Sequence, residues 1–273
     1  MSKIRQPAVA GTFYSSDPKK LNHELDLLLS VSQPAQILTS VTGIISPHAG
    51  YIYSGKTAAF AFNTLKDKKI KNVIIIAPSH RQYFDGISIY DGDAFETPLG
   101  IVEINKEIAL RLIKGSNFIF FGSVGHKEEH AIEVQIPFLQ KVLSGIKIVP
   151  IVMGDQKKNS VDDLANQLSK VIDDETIILA SSDLSHYYSK DEANLLDSIV
   201  EKRIRDFDID GLQLDLENRY CEACGGGPIV AMMKAAAFSG KNKSLILDRS
   251  DSGDTSGDDS QVVGYLSAVI YGD

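Results

Sequence analysis

The chain has 273 residues, 43% of them hydrophobic and 23% charged, with a net charge of −8. This is a globular composition that can bury a core; its acidic balance carries no electrostatic footprint for nucleic acid. No apolar run approaches the ~20 residues of a bilayer crossing.

The first ten residues lack the charged-then-apolar pattern of a secretory leader, which places the protein in the cytoplasm. Pro7–Tyr14 is expected to lie extended over the core. Asp17 as N-cap and Pro18 at the first helical position open a helix whose apolar stripe is Leu21, Leu25, Leu28 and Leu29. A loop at Gln33–Gln36 precedes a buried strand over 43–46, cut by Pro47, which delivers His48 at its carboxyl end. Gly50 then permits a turn, Tyr51 and Tyr53 alternate, and Ser54-Gly55 opens an Ala-rich helix. Asn72–Ala77 is a continuous apolar run, suited to a strand buried on both faces, and ends in Pro78-Ser79-His80.

Gly86–Tyr90, Asp93–Glu96 and Leu99–Glu103 read as short antiparallel strands with a turn at Thr97–Gly100. Asn105 caps a helix ended by Gly115, and Asn117–Phe121 is a further strand. Lys127–Leu143 is helical in spacing, but Pro137 predicts a kink or a later start. Lys147–Met153 is a strand, and Ser160 with Asp163 reads as a capping box. The buried strand Thr176–Ala180 runs into Ser181-Ser182-Asp183-Leu184-Ser185-His186. A long helix follows from about Lys190, and Asp210 is expected to cap a short one. Cys221 and Cys224 lead into three glycines and a helix with Pro228 in its first turn, closed by Gly240. Ser244–Asp248 and Val262–Tyr271 are strands around a polar loop, 250–260.

Strands alternating with helices, without repeats or long linkers, predict one α/β domain over residues 1–273. Its central sheet is expected to be mostly parallel and flanked by helices, with an antiparallel edge from 86–103.

The strands at 43–46, 72–77 and 176–180 hand over to His48, His80, and Asp183 with His186. As parallel neighbours they would bring these side chains to one crevice at their carboxyl ends, where open α/β sheets bind ligands. Cys224 stands just before a helix whose amino terminus is expected to stabilise a thiolate. Two imidazoles and a thiolate suit Fe(II), Cu or Zn, and three protein ligands leave a position open. His130 either joins this site or caps the kinked helix, whereas His23 and His126 read as surface residues. Cys221-x-x-Cys224 also fits a thioredoxin-like pair, although it comes late in the chain. The missing second cysteine pair excludes a zinc ribbon, and two cysteines make no disulfide framework. The triple glycine either cradles an anion or packs backbone against the site. Tyr51 and Tyr53 either line a substrate mouth or pack in the core.

In order along the chain, PAVAGTFY, SPHAGYIYSG, APSH, EEHAIEVQIPFL, SSDLSHY, CGGGP and SGDTSGDDSQVVGY resemble the Memo family, whose prokaryotic members are also named AmmeMemoRadiSam system protein B. The resemblance runs from residue 7 to about residue 269. It implies a fold like that of the class III extradiol non-haem iron dioxygenases, with cysteine where those enzymes carry a metal-binding glutamate. By motif, the implied metal ligands are His48, His80 and Cys224. Asp183 and His186 match a neighbouring pair, either acid/base groups or groups that orient the ligands, and Glu129 and His130 match the remaining polar wall. The resemblance implies a metal-dependent oxidoreductase using Fe or Cu on a small molecule or peptide. It also implies an alternative, a non-catalytic protein that binds a phosphopeptide or docks a radical-SAM enzyme with its small partner protein.

Overall fold

Residues 2–33, 38 and 40–272 are described in the computed structural model. The chain begins with a two-residue strand, β1 (Ile4–Arg5), and a helix, α1 (Pro18–Val31). Asp17 caps that helix by accepting from the backbone N–H groups of Lys19 and Lys20, and Leu21 and Leu25 are fully buried. Pro7–Tyr14 is not extended but turned: Gly11 N donates to Tyr14 O and Phe13 N to Val9 O. Past Gln33, the loop expected at 33–36 lies outside the described residues.

The elements then run β2 (Ser40–Ser46), α2 (Tyr51–Asn63), β3 (Asn72–Pro78), β4 (Ile87–Tyr90), β5 (Ala94–Thr97) and β6 (Gly100–Glu103). After them come α3 (Lys106–Ile113), β7 (Ile119–Gly122), α4 (His130–Glu133), α5 (Ile136–Val142), β8 (Lys147–Met153), α6 (Lys158–Ser169), β9 (Thr176–Ser181) and β10 (His186–Tyr188). The chain closes with α7 (Lys190–Arg205), α8 (Ile209–Glu217), α9 (Gly226–Phe238), β11 (Lys243–Asp251), α10 (Gly253–Ser256) and β12 (Val262–Gly272).

A nine-stranded sheet has the order β10-β12-β2-β9-β3-β8-β4-β7, with β11 also on β12. Its middle, β2-β9-β3-β8, is parallel as expected. Its flanks are not: β12 runs antiparallel to β2, and β4 to β8. β12 also pairs antiparallel with β11 on its other side. The 86–103 strands also separate: β4 enters the main sheet, whereas β5 and β6 build a small second sheet with β1. The sheet is therefore mixed around a parallel core.

The apolar runs of β3 and β9 bury both faces. Ile74, Ile76, Ile178 and Ala180 pack with Leu164 of α6 and Met232 of α9 on one side. Val73, Ile75, Ile177 and Leu179 pack with Leu21, Phe62 and Phe138 on the other. No helix among the described residues is long and apolar enough to cross a membrane.

Helix boundaries differ from expectation at three places, and at Pro137 the structure takes one of the two expected alternatives. Helix α2 begins at Tyr51 rather than Ser54, so the two tyrosines lie on different faces, Tyr51 buried and Tyr53 exposed. Pro137 sits in the first turn of α5, the later-start alternative, where its missing N–H costs nothing. Helix α6 starts before the supposed capping box, and Ser160 lies inside it, donating to Asp155 Oδ1 at 2.9 Å. Asp208, not Asp210, caps α8 by accepting from Gly211 N. The 250–260 segment is only partly a loop, since β11 reaches Asp251 and α10 follows.

His126 is buried, not on the surface, and its Nε2 stands 3.1 Å from Ser88 O. Burial lowers its pKa to about 4. As pH falls from the ordinary value near 6.5 toward 4, the unfolded chain takes up a proton that the folded chain refuses. Stability is therefore expected to drop across that window, by up to about 3 kcal/mol. Urea midpoints at pH 7 and pH 4.5 should converge for His126→Gln relative to the wild type. An unchanged difference would remove His126 as the cause.

Candidate metal centre

The order β2-β9-β3 puts three parallel carboxyl ends side by side, and His48, Asp183 and His80 each follow two residues beyond one of them. Cys224 arrives from the turn before α9. One ligand atom each from His48, His80 and Cys224 lies within 4.8 Å of the others. His48 Nε2 is 3.2 Å from Cys224 Sγ, and the two imidazole rings stand edge to face at 5.0 Å.

Hydrogen bonding decides which nitrogen of each ring is free. Ser181 Oγ spends its only proton on Ala131 O at 2.6 Å and accepts from Gln135 Nε2 at 2.8 Å. Toward His48 Nδ1, 2.9 Å away, it can only accept. His48 therefore carries its proton on Nδ1 and presents Nε2 with a lone pair to the thiol. Glu129 does the same for His80: its carboxylate accepts from His80 Nδ1 at 2.9 Å and from His80 N at 2.7 Å. Carboxylate and hydroxyl partners of this kind fix tautomer and ring orientation in metal sites.

The thiol is held just as closely. Asp183 N donates to Cys224 Sγ at 3.3 Å, and Cys224 N donates to Asp183 O at 3.2 Å. A Cβ on Gly225 would stand 2.3 Å from Ser181 O, so glycine alone lets this turn lie against the end of β9. Gly225 N donates to Ser182 Oγ, Gly226 N to Ala223 O and Gly227 N to Gln156 Oε1. With these amides committed, the triple glycine is close packing and not an anion cradle.

Burial pushes the His48 pKa well down, helped by the neighbouring His80. Burial, then the neighbouring His48, bring His130 to about 4. Both rings are thus neutral near pH 7, the state that binds a metal. Burial alone would raise Glu129, but its bonds from His80 outweigh that and hold it at about 2. The Cys224 thiol is not lowered by the helix start as expected: burial, then Asp183, raise it. Cys221 is likewise pushed up to about 12 by burial and Asp215. Two raised thiols are the opposite of what a thioredoxin-like pair requires.

The remaining expected residues fall in different places. His130 packs its ring against His80 at 4.7 Å and Phe13 at 4.9 Å, with Nδ1 3.4 Å from Glu129 Oε1. His80, Glu129 and His130 form a second cluster of potential ligands sharing His80. Asp183 accepts from His48 N at 2.7 Å and does not orient His186, whose Nδ1 donates to Leu184 O at 2.8 Å. Burial raises the Asp183 carboxyl. Tyr51 packs in the core against Phe138 and donates to Val134 O at 2.7 Å, while Tyr53 is 42% exposed. Cys224 and His186 both line an open cleft of about 530 Å³.

Sequence reasoning passed over Ser181, Gln135 and Gln156, which hold His48 and the cysteine turn. Gln135 did carry a signal, as a lone amide in the apolar run Ala131–Leu139.

Fold and site define an α/β protein with a candidate transition-metal site of two imidazoles and a cysteine sulfur at the carboxyl edge of its sheet. A family model described as Memo-like protein matches residues 5–269. A MEMO1 family protein of Thermoplasma volcanium is 41% identical over 97% of this chain and 98% of its own length. One of Aquifex aeolicus is 37% identical over 98% of this chain and 99% of its own. The chain belongs to the Memo family. An uncharacterized protein of Escherichia coli K12 shares the fold, with a TM-score of 0.54, 12% identity, and coverage of 84% of this chain and 99% of that one.

Proposed function

We propose that this chain is a metal-dependent oxidoreductase that binds Fe(II) or Cu, with Zn the further candidate, on His48, His80 and Cys224. The observation that carries the reading is the preset donor set: two imidazoles with Nδ1 committed elsewhere, and a thiol 3.2 Å from one free Nε2. A soft thiolate with two imidazoles favours Fe, Cu or Zn over Mg or Ca. The bound metal would supply Lewis acidity and, for Fe or Cu, one-electron chemistry at a position left open by three protein ligands.

The protein's own residues do the rest. Asp183 steadies the thiolate through its backbone N–H and His48 through its carboxylate. His186 keeps Nε2 free on a side chain that lines the cleft, as a proton acceptor for a molecule bound there. On the opposite side the His130 ring packs between those of His80 and Phe13.

Metal content of protein purified without oxygen tests this. About one Fe or Cu per chain is expected in the wild type, strongly reduced in Cys224→Ser, with one proton released per metal bound. No stoichiometric metal in the wild type would overturn the reading and leave the crevice as a binding site for a phosphopeptide or a radical-SAM partner.

A further inference from the structure

The turn after α8 is closed at Arg219 in the same way that the turn after α7 is closed at Phe207. Arg219 N donates to Leu216 O at 3.2 Å and Tyr220 N to Asp215 O at 2.8 Å, the two bonds of a Schellman cap. Arg219 occupies the left-handed position of that cap, with φ +58°. Glycine is the usual residue there because any Cβ is strained. Of the non-glycine residues at positive φ among those described, Asp67, Tyr187, Phe207 and Arg219, only Arg219 lines the cleft.

The side chain lines the same cleft as Cys224 and His186. Its guanidinium has no ion-pair partner among the described residues, although two carboxylates share the cleft. Glu217 is engaged by Gln213 Nε2 at 2.9 Å, and Glu222 by the Tyr188 hydroxyl at 2.7 Å. The cleft also has apolar lining from Leu184, Leu216 and Val230. The cleft thus offers an unpaired planar fork, apolar side chains, and the side chains of Cys224 and His186. Its ~530 Å³ suits a small molecule.

We propose that Arg219 is the specificity residue of this cleft, and that the ligand is a small organic carboxylate with an apolar body. The carboxylate lies on the guanidinium in a bidentate pair, and the other end points toward Cys224 and His186. Only the placement of that reacting end rests on the metal reading above.

The probes are 3-phenylpropanoate, 3-phenylpropanol and 3-phenylpropylamine, titrated by calorimetry into wild type, Arg219→Gly and Arg219→Lys. The wild type should bind the carboxylate at least about tenfold more tightly than the alcohol, a difference typical of one charge-assisted contact. Arg219→Gly should abolish that preference while its urea midpoint stays equal or rises, because glycine relieves the strained turn. Arg219→Lys should keep part of the preference. The inference falls if the amine binds best, if no probe binds, or if Arg219→Gly binds the carboxylate like the wild type. Metal content, measured on the same samples, separates the two readings. A metal-loaded wild type without carboxylate preference overturns this inference alone; carboxylate preference without metal supports it and overturns only the metal reading.

Discussion

Glu133→Gln is expected to cost the protein about 3–5 kcal/mol, the usual loss when one partner of a buried ion pair is removed. Glu133 is fully buried, and its carboxylate accepts from the Arg5 guanidinium, Ala8 N at 2.8 Å, Val9 N at 2.9 Å and the Tyr14 hydroxyl at 2.6 Å. Arg5 is equally buried, and its other nitrogens donate to Glu129 O at 2.6 Å and His126 O at 3.2 Å. Without the charge of Glu133, a desolvated guanidinium has only carbonyls to face. The double variant Arg5→Met/Glu133→Leu should recover part of the loss but not all, because the Ala8 and Val9 amides keep no acceptor.

The consequence reaches the site. Glu133 holds the 5–14 segment down, Phe13 O accepts from Tyr51 N at 2.8 Å, and the Phe13 ring covers His130. Urea denaturation should therefore show the loss of stability, and limited proteolysis should show new cleavage before residue 17. A loss below about 1 kcal/mol with an unchanged digestion pattern would mean that the pair only breaks even against its desolvation.

Glu129→Gln is expected to weaken metal binding by roughly 10–100-fold, as loss of a histidine-orienting partner does in other sites. Glu129 accepts three N–H groups: His80 N, His80 Nδ1 and Ala131 N. An amide has one acceptor oxygen and one donor nitrogen, so one of its ends must oppose an N–H. If the conflict falls at the ring, His80 relieves it by moving its proton to Nε2, the nitrogen proposed to hold the metal. If it falls at the backbone, the loop beyond β3 shifts and carries His80 with it. Chelator competition would measure the affinity, with thermal unfolding of the metal-free protein as the control for general damage. Wild-type affinity in Glu129→Gln would show that His80 is positioned by its loop alone.

Much of this protein is legible in its residues alone. Apolar runs at 43–46, 72–77 and 176–180 mark the central strands, because a strand buried on both faces has no polar side to show. A histidine or aspartate just past each run marks the edge of interest, and the cap at Asp17 is written in adjacent residues. These are local signals, carried by side-chain type and spacing over a few positions.

What escapes such a reading depends on residues brought together from far apart. The antiparallel placement of β12 beside β2 is a pairing choice between segments more than two hundred residues apart. The burial of His126, the release of His186 from Asp183, and the committed amides of the triple glycine all depend on what packs opposite. The same holds for the histidine tautomers, set by Glu129 across 49 residues and by Ser181 across 133. Local side-chain pattern thus specifies which elements form and which side chains stand at their ends. Which atom each of those side chains turns toward the site is set by packing across the fold, since hydrogen-bond direction depends on partners that no local spacing reveals.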